Sequence, residues 1–84
     1  MSNPSIIVYG TSWCGDCKRA QRVLDQHQAE YSYVNIENDE TARRYVEQVN
    51  NGYQSVPTIL FPDGSVMVEP SSGALAQKLA SLSN

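Results

Sequence analysis

Two apolar runs separated by one helix-like stretch constrain this chain more than anything else in it. Ile6-Ile7-Val8-Tyr9 is β-branched and apolar at almost every position. That predicts a strand over Ser5 to Gly10 buried on both faces, with Gly10 closing it. From Gly15 to about Gln28 the period changes. Ala20, Val23, Leu24 and His27 recur at i, i+3, i+4 and i+7, and Cys17 extends the stripe backwards, which predicts a helix. After a connection of about three residues, Tyr31, Tyr33 and Asn35 alternate with Ser32, Val34 and Ile36 in a second strand, Tyr31 to Glu37. A strand, a helix and a strand with so short a return form a β-α-β unit, with parallel strands and a right-handed crossover.

The remaining pattern completes one layered sheet. Glu40 to Asn50 reads as a second helix, with Ala42, Tyr45, Val46 and Val49 on its buried stripe. Asn38 or Asp39 caps it, Glu37, Asp39 and Glu40 crowd its positive end, and Asn51-Gly52 supplies a left-handed stop. Thr58 to Phe61 and Ser65 to Glu69 read as strands three and four, joined through the hairpin signal Pro62-Asp63-Gly64-Ser65. Ser72 to about Leu82 reads as a third helix, capped by Ser71 or Ser72, with Leu75, Leu79 and Leu82 on one face. The order β-α-β-α-β-β-α predicts an α/β domain with a mixed four-stranded sheet flanked by three helices, on both faces. The chain's 84 residues allow one domain, residues 1–84, of modest stability.

Both cysteines fall in Thr11-Ser12-Trp13-Cys14-Gly15-Asp16-Cys17, where strand one passes into helix one. Ligand crevices in open α/β sheets lie at this end of the strands. At a helix N-terminus, unpaired backbone N–H groups and the positive end of the dipole stabilise a thiolate. Cys14 is thereby the candidate nucleophile. Cys17, one turn further in and on the buried stripe, is the candidate resolving thiol. The alternatives are a structural disulfide and half a zinc site. A disulfide here closes a very short loop and removes little entropy from the unfolded chain. Two thiolates do not fill a tetrahedral site, so a metal or iron–sulfur carrier would need a bridged dimer with outside thiols. No metal ligand set is assigned, and thiol–disulfide chemistry is the favoured reading.

Charge narrows the partners. With nine acidic and six basic residues the net charge is −3, a poor match for nucleic acid. Lys18, Arg19 and Arg22 follow the cysteine motif directly. They form either a solvated helix face or a positive rim that steers an anionic partner. Two cysteines are too few for a disulfide-rich secreted scaffold. Met1-Ser2-Asn3-Pro4 carries no positive region followed by a long apolar stretch, and no apolar run reaches membrane-spanning length. The expectation is a soluble, cytoplasmic monomer with reduced thiols.

Val56-Pro57 stands just before strand three, where a proline has no ladder bond to lose. Placed beside the cysteine motif, a cis Val56–Pro57 bond would turn the Val56 backbone outward, towards an extended peptide or thiol compound. Trp13-Cys14-Gly15-Asp16-Cys17, Ser55-Val56-Pro57-Thr58 and the Asp63-Gly64 hairpin together resemble the glutaredoxins of the thioredoxin-fold superfamily, over essentially the whole chain. Within that group the likeness is greatest to the mycoredoxins of actinobacteria, through Trp13 to Cys17, Val49-Asn50-Asn51-Gly52, Val56-Pro57-Thr58 and Pro70-Ser71. The resemblance implies a thioredoxin-like fold. It also implies transfer of a low-molecular-weight thiol from S-thiolated proteins, with that thiol as co-substrate and no bound cofactor. A thiol–disulfide reductase is a further implied partner.

The departures bear on which small thiol is used. Glutathione-using glutaredoxins often carry Lys or Arg just before the motif, where this chain has Gly10-Thr11-Ser12. They also carry a Gly-Gly-x-Asp-like turn before the last helix, where this chain has Glu69-Pro70-Ser71-Ser72-Gly73-Ala74. Losing both clamps weakens the hold on glutathione's charged ends. Mycothiol is an uncharged pseudodisaccharide and needs hydroxyl-level bonding, which Thr11, Ser71 and Ser72 can supply. Mycothiol is therefore favoured over glutathione. The Gln-containing motif and Trp-Ser-Gly-Phe turn of the ribonucleotide-reductase electron donors are both missing. Copper chaperones share Cys-x-x-Cys, but not a helix between strands two and three.

Other residues carry smaller expectations. Asp16 places a negative charge near the Cys14 thiolate and opposes the helix effect. Trp13 packs beside Cys14 and shields the disulfide, and with Asp16, Val56 and Pro57 joins Thr11, Ser71 and Ser72 in the candidate substrate-binding set. His27 reads as a partly buried helix residue. Tyr9, Tyr31, Tyr33 and Tyr45 read as packing residues with a wet hydroxyl end. Tyr53 is a candidate lining of the groove.

Overall fold

The computed structural model describes residues 5–82. Residues 1–4, on which the expectation of no leader rests, lie outside the described residues. The elements run β1 (Ile6–Gly10), α1 (Gly15–Gln26), β2 (Tyr31–Asn35), α2 (Glu40–Val49), β3 (Thr58–Leu60), β4 (Val66–Val68) and α3 (Ser72–Leu82). The predicted order is thus observed.

The four strands form one sheet in the order β2-β1-β3-β4. β1 and β2 are parallel, with Val8 opposite Tyr33 and Gly10 opposite Asn35. β3 is antiparallel to β1, and β4 to β3. The Asp63-Gly64 turn closes the last pair through Gly64 N–H to Phe61 O at 2.9 Å, and the Asp63 carboxylate accepts from Ser65 N–H at 3.0 Å.

Alternation along the strands divides the core between the two faces. On one face Ile6, Val8, Ile59 and Phe61 meet Ala20, Val23 and Leu24 of α1 and Leu75 and Leu79 of α3. On the other, Ile36 packs with Ala42 and Val46 of α2, joined by Tyr9, Val34, Tyr45 and Val56. One helix covers this second face where two cover the first. An open groove of about 380 Å³ remains beside α2, lined in part by Ile7 and Tyr9. β1 is for that reason not buried on both faces: Ile7 and Tyr9 are half-buried, while Ile6, Val8 and Gly10 are buried.

Two expected core positions are corrected. α1 stops at Gln26 because Gln28 takes a left-handed φ of 55°. His27 becomes its C-cap and is exposed, not part of the stripe. Val49 is the last residue of α2, where the chain turns away, and it is 40% exposed. Among the described residues no helix is long and apolar enough to cross a membrane.

Candidate active site

Cys14 is itself the N-cap of α1. Its backbone is extended (φ −84°, ψ 112°), and its Sγ accepts the Cys17 N–H at 3.1 Å. The sulfur thus occupies the place a serine or aspartate oxygen takes in an ordinary cap. Its thiol hydrogen is directed at the Val56 carbonyl, 3.9 Å away. Both cysteines are free and both are buried, Cys14 at 7% exposure and Cys17 at 0%. Burial pushes the Cys17 thiol up to about 11. Cys17 is accordingly a protonated thiol at neutral pH.

The Val56–Pro57 bond is cis and Pro57 is buried. Its loop is held at both ends. Asn50 donates one amide group to Val46 O at 2.8 Å and to Thr58 Oγ1 at 3.1 Å, joining the end of α2 to the start of β3. Thr58 Oγ1 in turn donates to Ser55 O at 2.7 Å. On the far side, Glu69 N–H donates to Pro57 O at 2.8 Å. That bond ties the approach to α3 to the cis-proline. Ser71 Oγ accepts the Ala74 N–H at 3.1 Å and is the cap of α3. Ser71 and Ser72 are exposed, two and three residues beyond that tether.

Glu37 is a site residue that the sequence pattern did not single out. Its carboxylate accepts from Ser12 N–H at 3.1 Å, Ser12 Oγ at 3.0 Å and Trp13 Nε1 at 3.1 Å. These bonds, the Ser12 N–H foremost, hold the carboxyl below its ordinary range. The signal was available in the parallel pairing. Gly10 faces Asn35, so two residues further along each chain Ser12 comes opposite Glu37. Trp13 is 72% exposed, with its indole N–H on the Glu37 carboxylate.

Tyr33 is the second missed residue. Its hydroxyl donates to Thr11 O at 2.6 Å, in the loop that carries Cys14. Thr11 is 7% exposed, and its Oγ1 is the one buried side-chain oxygen or nitrogen among the described residues without a partner. Asp16 pairs with Arg19 at 2.8 Å, both half-exposed. That pairing partly offsets the acidic charge expected beside Cys14. Tyr53 is 72% exposed. No cluster of three or more His, Cys, Asp or Glu side chains suited to a metal ion occurs among the described residues.

This arrangement is a thiol at a helix mouth, a second thiol one turn behind it, and a peptide carbonyl beside a cis-proline facing the first sulfur. The sequence model described as Glutaredoxin matches residues 6–67. The chain belongs to the glutaredoxin family. A glutaredoxin-named protein of Mycobacterium tuberculosis is 37% identical over 82 residues, 98% of each chain. Mycoredoxin 1 of Corynebacterium glutamicum is 33% identical over 82 residues, 98% of this chain and 99% of the relative. The crystal structure of the thioredoxin-like protein BC3987 superposes with a TM-score of 0.75 at 27% identity, covering 88% of this chain and 97% of that one. Glutaredoxins are thiol–disulfide oxidoreductases that use a low-molecular-weight thiol as co-substrate, and this member carries the Cys14–Cys17 pair.

Proposed function

We propose that this glutaredoxin reduces mixed disulfides between proteins and mycothiol, with Cys14 as nucleophile and Cys17 as resolving thiol. The observation that carries the reading is the setting of Cys14 Sγ: capped by the Cys17 N–H at 3.1 Å and 3.9 Å from the Val56 carbonyl. Cys14 thiolate attacks the small-thiol sulfur of the protein-bound disulfide. The S–S bond to the protein breaks, the protein sulfur leaves and takes a proton, and the small thiol stays on Cys14. A second small thiol then attacks the adduct, forming its own disulfide and returning Cys14 as a thiol. Cys17 offers the alternative resolution.

Three features favour mycothiol. Gly10-Thr11-Ser12, ahead of the motif, lacks the Lys or Arg that suits glutathione, and the turn before α3 lacks the Gly-Gly-x-Asp pattern. Ser71 and Ser72 offer exposed hydroxyls two and three residues beyond the Glu69–Pro57 bond, while the Thr11 hydroxyl, expected to join them, is buried. Mycoredoxin 1 is among the relatives that match over nearly the whole chain. In this reading Trp13, Asp16, Val56 and Pro57 frame the entrance, and the protein works as a single-domain monomer in the reducing cytoplasm.

One comparison tests it: turnover of a mixed-disulfide protein substrate with mycothiol, glutathione or thioredoxin reductase as the electron source. Mycothiol is expected to support the fastest reduction. Cys14→Ser is expected to be inactive and Cys17→Ser to retain transfer. Equal or better turnover with glutathione removes the mycothiol reading, and an inactive Cys17→Ser protein removes the route through a second small thiol.

A further inference from the structure

Cys17 has a neighbour that the reaction above does not use. Gly10 ends β1 with nothing on its Cα, and two side chains fill that space. A Cβ there would stand 2.8 Å from Cys17 Sγ and 2.8 Å from Tyr33 Cζ, and closer still to the Tyr33 hydroxyl. The phenol end of Tyr33 and the Cys17 sulfur therefore both lie against the bare Gly10 backbone, where the hydroxyl can reach the sulfur. The same hydroxyl donates to Thr11 O at 2.6 Å.

We propose that Tyr33 is a positioning residue for Cys17, its hydroxyl governing whether the second cysteine enters the reaction. This rests on the reading of Cys14 as nucleophile and Cys17 as resolving thiol. To resolve an adduct, Cys17 must attack Cys14 Sγ. The Cys14–small-thiol S–S bond breaks, a Cys14–Cys17 S–S bond forms, and the Cys17 proton ends on the departing small thiol. No further reactant is needed.

Negative charge develops on a sulfur that is 0% exposed, so solvent does not stabilise it. The groups that hold the Cys17 thiol down against burial are the Thr11 backbone N–H and the Tyr33 hydroxyl. Cys14, on the same helix, acts in the opposite sense. Tyr33 has a single hydrogen and two acceptors within reach. While Cys17 keeps its proton, that hydrogen is on Thr11 O. As the proton leaves, the O–H turns to the sulfur. Burial and the neighbouring cysteines keep the phenol itself protonated, so it serves as a donor and not as a base. A donor already in place at a desolvated anion lowers the barrier without reorganisation.

The test uses the whole chain with Cys14 loaded as its mixed disulfide with thionitrobenzoate, whose release reports attack by Cys17. In Tyr33→Phe, release is expected to slow by about tenfold or more, with the rise of rate with pH displaced to more alkaline values. In a Cys17→Ser background, Tyr33→Phe is expected to leave loading of Cys14 unchanged. Release at the parental rate overturns the proposal, as does an equal loss in the Cys17→Ser background. Failure of Cys14 to accept the thionitrobenzoate group would instead overturn the reading of Cys14 as nucleophile. A second measurement removes dependence on the Phe variant. In Cys14→Ser protein, the Tyr33 ring signals in NMR are expected to move with the same midpoint as the Cys17 Cβ signal during alkaline titration. Independent midpoints overturn the proposal.

Discussion

Glu37 concentrates in one side chain what the motif loop requires. Three donors from Ser12 and Trp13 converge on a single carboxylate, and the Asn35 side chain accepts the Glu37 N–H at 2.8 Å and fixes the turn. Because the bonds favour the ionised form, they contribute at neutral pH and are lost as pH falls through a folded value lying below the ordinary 4.5. Trp13 is the chain's sole tryptophan, so its emission reports this grip directly. The emission of the parent is expected to stay constant on acidification to about pH 4.5 and to change only below it. Glu37→Gln turns a donor amide towards donors, so it is expected to shift the emission at neutral pH and to abolish the acid transition. An unaltered acid transition in Glu37→Gln would show that another group holds the indole. At this scale Cys14, Cys17 and Pro57 were legible because their chemistry is visible in the letters. Glu37 and Tyr33 were not, since each acts through a neighbour across the β1–β2 pairing and becomes visible only when the register is known.

The elements were legible wherever a local signal marked them, and their ends were misread where the signal was missing. Asp39 caps α2 through Ala42 N–H at 3.0 Å, and Asn51 (φ 57°) with Gly52 (φ 94°) ends it, with Gly52 N–H returning to Glu47 O at 2.7 Å. Asn-Gly announces such an ending. α1 ends in the same way, with Gln28 N–H to Asp25 O at 3.0 Å and Ala29 N–H to Leu24 O at 2.9 Å, but the left-handed position is held by a glutamine. No residue there points to a left-handed conformation, so the pattern overextends the helix and places His27 on its partly buried stripe. The substitution that repairs the signal is a prediction. Gln28 is exposed and its φ of 55° suits glycine. Gln28→Gly is therefore expected to stabilise the protein by up to about 1 kcal/mol. The gain should appear as a higher urea midpoint with an unchanged slope; a lower midpoint would mean that unfolded-chain entropy outweighs relief at this residue.

At the scale of the molecule the sheet separates two cores, and Cys17 lies fully buried where α1 meets the end of β1. An uncharged thiol costs little there. Ionising it is costly, which is why its value is pushed from an ordinary 9.0 to about 11. A raised folded value means that the native state binds more protons than the unfolded chain between those two limits. Its contribution is complete below the unfolded value and is lost as pH rises through the folded one. Tyr33, Tyr31 and Tyr9 are raised as well, burial first in each case, and they extend the same limb to higher pH. The reduced protein is therefore expected to show unfolding free energy falling between about pH 9 and about pH 11, with the share of Cys17 on the order of 2 kcal/mol. Urea unfolding under reductant, repeated across this range, measures it. Cys17→Ser removes the group that titrates, so its profile should be flatter over the same interval by about that amount. Parallel profiles would mean that the fold opens enough to hydrate the thiolate. In that case the sulfur would have no need of the Tyr33 hydroxyl when it attacks, so the alkaline limb and the adduct-release kinetics constrain one property of the same buried group.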